Sequence, residues 1–251
     1  QPMSGHSKWS TIKHKKAASD AKRGKIFTRI AKEITIAARE GGGDTTSNTS
    51  LRLAVAKAKE ANMPKDNIDR AIKRGTGEIE GGELIDAVYE AYGPHSVGIL
   101  IEVVTDNRNR AIADVRHAVS KYGGSMAEAG AVSWQFKRKG YISITNEVDQ
   151  DELFMVTAEA GAEDIQFNDG ITEIYVELES FRAVQEALEA AGYKMDESSL
   201  IYDPANRIEL GQNESLQVMN LIERIEELDD VQNVYSALEM SDELLAAMEA
   251  A

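Results

Sequence analysis

The chain has 251 residues, 42% of them hydrophobic and 28% charged, and its 43 acidic against 28 basic residues give a formal net charge of −15. Such a composition suits a globular protein with room for one to three cores. The absence of cysteine excludes disulfides, thiolate zinc sites and cysteine nucleophiles, and no apolar run approaches the roughly 18 residues of a membrane helix.

Gln1 and Pro2 precede Met3, which reads as the start. The segment behind it, MSGHSKWSTIKHKKAASDAKRGKIF (Met3 to Phe27), is basic, and no apolar stretch follows, so it does not read as a secretory signal. Periodicity begins near Asp20. Ile26, Ile30, Ile34 and Ala37 recur at three- and four-residue spacing and predict one apolar helical face. Lys22, Lys25, Arg29 and Lys32 fall on another face as a basic stripe. Asp20 can cap this helix, and Gly41 to Gly43 ends it. A second helix is expected from about Ser50 to Ala61. A third follows with Pro64 in its first turn, running through Arg74 to a stop at Gly75. Three short amphipathic helices make a small bundle.

GTGEIEGGE (Gly75 to Glu83) reads as a linker, after which strands and helices alternate. Ile85 to Gly93 and Val97 to Thr105 form a strand pair across Gly93-Pro94. NRNRAIADVRHAVSKYGG is a helix, and AVSWQF (Ala131 to Phe136) is read as a strand. Residues 140–203 then show the order β-α-β-β-α-β, with a hairpin turn at Asp169-Gly170. That order is the split βαβ pattern of a ferredoxin-like sandwich. The flanking pieces, 84–136 and then RIEL, ESLQVMNLIERIEEL and VQNVYSAL, form a second α+β unit, and SDELLAAMEA is a short acidic helix. The expected fold is α+β with three domains. A basic helical domain (1–78) precedes an α+β domain (79–136 plus 205–251), and a ferredoxin-like domain (137–204) is inserted into the latter.

Chemistry is sparse. His6 and His14 lie in the basic leader, His95 follows Gly-Pro, and His117, on a helix, reads as partly buried; none has a partner at metal-site spacing. No phosphate-binding loop or nucleophile elbow is present, and Gly41-Gly42-Gly43 follows a helix rather than leading into one. DNRNR (Asp106 to Arg110) reads as a helix cap with exposed charges, or as a small-anion or RNA contact. Trp134, at strand spacing, reads as core rather than as a base-stacking platform.

Charge is the informative signal. Residues 1–75 hold 17 Lys and Arg against 7 Asp and Glu, a net of +10, whereas the rest of the chain carries −25. A chain divided in this way presents one part to a polyanion and orients the other away from it. In the leader, Lys8, Lys13, Lys15, Lys16, Lys22, Arg23, Lys25 and Arg29 surround His6, Ser7, Trp9 and His14. Lysine and arginine bind phosphate with salt-dependent affinity, and aromatic rings stack on unpaired bases. No recognition-helix or RNP-type motif stands out.

These residues also carry a resemblance. GHSKW with KHKKAASDAKRGKIFTRI, then AAREGGGD, NMPKDNIDRAIKRGTG, YEAYGP, DNRNR, DVRHAVSKYGG, AGAED and DDVQNVY, spread from residue 5 to residue 235, resemble the YebC/PmpR family. Its members are usually described as probable transcriptional regulators. The resemblance implies a helical N-terminal domain, two α+β domains with the third inserted in the second, and a cytoplasmic location, mitochondrial for eukaryotic relatives. It implies either DNA binding that regulates transcription, or ribosome binding that relieves stalling on proline-rich stretches, as for the related mitochondrial translational activator of a cytochrome oxidase subunit. Thr45 and Thr49 stand where the family commonly has prolines, and Ala91 where it commonly has glycine, which predicts locally different loops.

The expectation is thus a non-enzymatic, cofactor-free regulator that binds DNA or ribosomal RNA, without membrane association, as a monomer or weak oligomer. Lys8, Lys13, Lys15, Lys16, Lys22, Arg23, Lys25, Arg29 and Lys32 would contact phosphates, and Trp9, His6 and His14 would stack or pack at the contact. Rival readings are an enzyme site around Asp106, Arg108 and Arg110, and an adaptor acting through the acidic surface.

Overall fold

The computed structural model describes residues 20–80, 84–168 and 170–249. The apolar spacing of the first third produces three helices: α1 (Asp20–Gly41), α2 (Thr49–Glu60) and α3 (Lys65–Gly75). Asn48 joins the first two. Its side-chain oxygen accepts from Leu51 N at 3.0 Å and so caps α2, while its amide donates to the carbonyls of Ala37 and Gly42 at 2.8 Å each. One buried side chain thus satisfies groups that two helix ends leave without partners. The loop before it is further tied by Asp44, whose carboxylate accepts from the Thr46 amide at 2.8 Å and hydroxyl at 2.7 Å. Thr49, at a position where proline was the family expectation, donates its hydroxyl to Glu189 at 2.9 Å.

The chain continues with β1 (Ile85–Tyr92), β2 (Gly98–Thr105), α4 (Arg108–Lys121), β3 (Ser125–Met126), β4 (Phe136–Ile144), α5 (Gln150–Ala160), β5 (Ala162–Asn168), β6 (Ile171–Val176), α6 (Phe181–Ala190), β7 (Glu197–Pro204), α7 (Gln212–Glu226), β8 (Val231–Ser236) and α8 (Asp242–Glu249). Two four-stranded sheets result, ordered β5-β6-β4-β7 and β3-β1-β2-β8. In the first, β4-α5-β5 is a crossover with β6 filling the gap, which is the ferredoxin-like arrangement. The second sheet has the same spatial plan: β2-α4-β3 crosses over and β1 fills the gap. Here, however, the filling strand comes from ahead of the crossover, and the outer strand β8 comes from beyond residues 136–204. The protein is therefore α+β, with a helical leading region and two sheet sandwiches.

By its contacts the chain divides into two units. One contains residues 34–76 and 138–203. Its sheet core is Ile142, Ile144, Ile174 and Val176 against Leu153 of α5 and Val184 and Leu188 of α6, with Leu53 of α2 packed at its margin. Its helices close tightly: a Cβ on Gly75 would lie 2.4 Å from the Thr35 carbonyl oxygen, so only glycine permits this approach of α3 to α1. The other unit contains 20–33, 77–80, 84–137 and 204–249. Its core centres on β2, where Ile99, Leu100, Ile101, Val103 and Val104 are all buried, with Val115 and Val119 of α4 and Val218, Leu221, Ile222 and Ile225 of α7.

Two expectations change. AVSWQF is not a strand: residues 133–135 form a tight helical turn before β4, and Trp134 is 74% exposed rather than core. His117 is exposed rather than partly buried. RIEL contributes a single bridge, Ile208 to Leu238. The hairpin between β1 and β2 turns through His95 and Ser96 at φ of 58° and 62°, the left-handed values of a turn that matches strand twist. His95 Nε2 lies 2.9 Å from Gln217 Oε1.

Candidate nucleic-acid interface

Helix α1 places Lys25, Arg29 and Lys32 on one face, as their spacing requires, and that face meets the C-terminal end of α7. Lys25 Nζ donates to Glu227 O at 2.8 Å, Arg29 to Glu226 O at 2.7 Å, and Lys32 Nζ to Asp229 O at 2.8 Å. The last carbonyls of a helix lack intrahelical partners and carry the negative end of its dipole, so a row of cations is the complement they need. Gln232 reciprocates from beyond α7, donating to Arg29 O at 3.1 Å.

Asp230 completes the junction. Its side chain, 9% exposed, accepts from Lys32 at 3.1 Å and from Arg110 at 2.9–3.1 Å through both Nε and a terminal nitrogen. Burial pushes its carboxyl up, but Arg110 and Lys32 outweigh that, and the net shift is below the ordinary carboxylate range. Arg110 also meets Asp106 at 3.0 Å, and Asn107 caps α4 by accepting from Arg110 N at 3.0 Å. DNRNR is accordingly a cap and an ion-pair hub; Arg108 remains exposed and pairs with no described residue.

The other residues singled out from the sequence fall differently. His6, Ser7, Lys8, Trp9, Lys13, His14, Lys15 and Lys16 lie outside the described residues, and Lys22 and Arg23 lie in the first turn of α1. Lys25 is exposed even while bonded, whereas Lys32 is 13% exposed. Among the described residues no group of three or more His, Asp or Glu is arranged to hold a metal ion.

Two surface features had no sequence signal of their own. The first is Trp134. Glu90, buried in β1, accepts from the backbone N–H groups of Gly130, Val132 and Ser133 at 2.7, 2.6 and 2.9 Å. Burial raises the Glu90 carboxyl, but these donors bring it below its ordinary value. Tyr92 and Trp134 both donate to Ala131 O, at 3.0 and 2.9 Å. The loop is thus fixed from beneath while the indole faces solvent.

The second is an open cavity of about 260 Å³, lined by Lys25, Asp114, His117, Lys121, Tyr122, Arg224 and Glu227. Lys121 Nζ and Arg224 Cζ lie 5.5 and 5.7 Å from the centre of the Tyr122 ring.

A family model for the N-terminal domain of TACO1/YebC proteins matches residues 7–78, and the model for the second and third domains matches residues 84–238. A protein from Trichlorobacter lovleyi named probable transcriptional regulatory protein is 50% identical over 246 residues, 98% of this chain and 100% of the relative. One of the same name from Acidithiobacillus ferrooxidans is 53% identical over 248 residues, 99% of each chain. The crystal structure of a conserved hypothetical protein from Aquifex aeolicus shares the fold with a TM-score of 0.78 at 40% identity, covering 90% of this chain and 94% of that one. With both family models matched and whole-length relatives at half identity, the chain belongs to the TACO1/YebC family.

Proposed function

We propose that this protein is a non-enzymatic regulator of gene expression that binds nucleic acid through its basic leading segment. The observation that carries the reading is the charge division, +10 over residues 1–75 against −25 over the remainder. Lys8, Lys13, Lys15, Lys16, Lys22 and Arg23 contact phosphates, and Trp9, with His6, Ser7 and His14, packs or stacks at the contact. Lys25 borders this surface. Arg29 and Lys32, engaged on α7 and Asp230, hold the helix that presents it. The relatives' name, probable transcriptional regulatory protein, supports action on transcription through DNA.

A ribosomal-RNA target, with relief of stalling on proline-rich stretches, is the second reading. It is favoured by Trp9 lying among the leader lysines, because an aromatic ring serves unpaired bases rather than closed duplex. The location follows as cytoplasmic.

Sucrose-gradient sedimentation of lysate at two salt concentrations, with and without RNase, separates the two targets. Comigration with ribosomes that requires residues 3–25 supports the RNA reading, and a protein left at the top with affinity for promoter duplex supports the DNA reading. Changing Lys13, Lys15 and Lys16 to Ala should flatten the salt dependence by about 0.7–0.9 in log–log slope for each phosphate no longer neutralised. An unchanged slope would remove these lysines from the surface.

A further inference from the structure

The cavity around Tyr122 combines a flat aromatic ring, exposed cations and a carboxylate acceptor, all within one compact unit. We infer that it is a pocket for one unpaired nucleotide of a single-stranded nucleic acid, with the base on the Tyr122 ring and a phosphate between Lys121 and Arg224; this rests on the nucleic-acid reading above.

The chemistry selects the ligand. Tyr122 ends α4 and presents a partly exposed ring, and aromatic faces stack on bases of any sequence. Lys121 and Arg224 are both exposed and reach the same ring from different helices, so two cations stand beside it. Arg224 is steered by Glu227, 3.1 Å away, and its planar fork keeps donors for a phosphate. His117, one turn before Lys121 on α4, adds a ring nitrogen to the same wall. Asp114, whose carboxylate pairs with no described residue, offers an acceptor for a ribose hydroxyl or an exocyclic amine.

At about 260 Å³ the open cavity lies below the usual range of drug-sized ligand sites. A base held here has left its stack, which favours single strands over closed duplex. Lys25, of the basic stripe of α1, lines the cavity as well.

The test measures binding of the full chain to a 12-nucleotide single-stranded RNA and to the matching duplex. The proteins are wild type, Tyr122→Ala, Tyr122→Phe, and the Lys13, Lys15, Lys16→Ala variant. The expected result is about a 10-fold or greater loss of single-strand affinity for Tyr122→Ala. Near-wild-type affinity for Tyr122→Phe, which keeps the ring, and little change on duplex are expected with it. Equal affinities for wild type and Tyr122→Ala, or equal losses on single strand and duplex, overturn the pocket. If the leader variant loses affinity in that case, the nucleic-acid reading survives without it. No RNA binding by the wild type overturns the pocket, and no duplex binding as well overturns both. In case Tyr122→Ala does not fold, wild-type protein is photo-crosslinked to 4-thiouridine RNA. Adducts on residues 114–122 support the proposal, and adducts confined to other peptides overturn it.

Discussion

Two groups of cations lie in the same unit and have opposite relations to the molecule. Lys25, Arg29 and Lys32 face the carbonyl end of α7, and Arg110 and Lys32 close on a nearly buried Asp230. Lys121 and Arg224 lean over an aromatic ring beside an open cavity. The first group neutralises a helix end; the second lies exposed at the surface, with Arg224 paired to Glu227 at 3.1 Å. Net charge draws attention to a basic region, but what each cation faces decides whether it serves folding or a ligand.

That difference can be broken from either side. The largest effect belongs to Asp230→Ala, which leaves Lys32 enclosed without its counter-charge and should cost about 3 kcal/mol in urea denaturation. Titration probes the same junction. The Asp230 carboxyl is held below its ordinary 3.8, so the folded state binds that proton less readily than the unfolded chain. Its contribution is full above about pH 4 and disappears as pH falls through the lowered value. Wild-type stability should therefore drop on acidification more steeply than that of Asp230→Ala. Arg29→Met removes one charged donor from the Glu226 carbonyl and should cost about 1.5 kcal/mol. Lys25→Met, at an exposed bond, should cost about 0.5 kcal/mol, and less in high salt. Lys121→Ala should move stability by no more than about 0.5 kcal/mol while weakening single-strand binding. A large stability loss there would place Lys121 with the first group and erase the contrast.

The fold was legible wherever periodicity met a stop signal. Ile26, Ile30, Ile34 and Gly75 marked helices, and the strand-helix order over 140–203 marked the inserted sandwich. Trp134 misled because Val132, Trp134 and Phe136 alternate as in a strand, and Val132 and Phe136 are indeed buried. The segment cannot join a ladder because Glu90 already holds the N–H groups of Val132 and Ser133, and Gln135 N turns back to Val132 O at 2.9 Å. Nothing local to AVSWQF announces a carboxylate more than 40 residues earlier. The basic stripe was visible as a face but not as a helix cap, because its acceptors lie some 200 residues away. The Tyr122 pocket was hidden for the same reason, with Arg224 reaching it from α7.

The shared plan of the two sheets also sets an order in time. The sheet of β4 to β7 is built from one continuous stretch and can close as soon as that stretch leaves the ribosome. The other sheet cannot. Strand β2, buried in the finished protein at every residue but Glu102, pairs along one edge with β8, which is synthesised more than 120 residues later. In the interval that edge is bare and apolar, the condition in which chains join one another rather than themselves. A nascent chain halted between residues 105 and 231 should be a preferred client of chaperones that cover exposed strand edges. The same chain released after residue 236 should not.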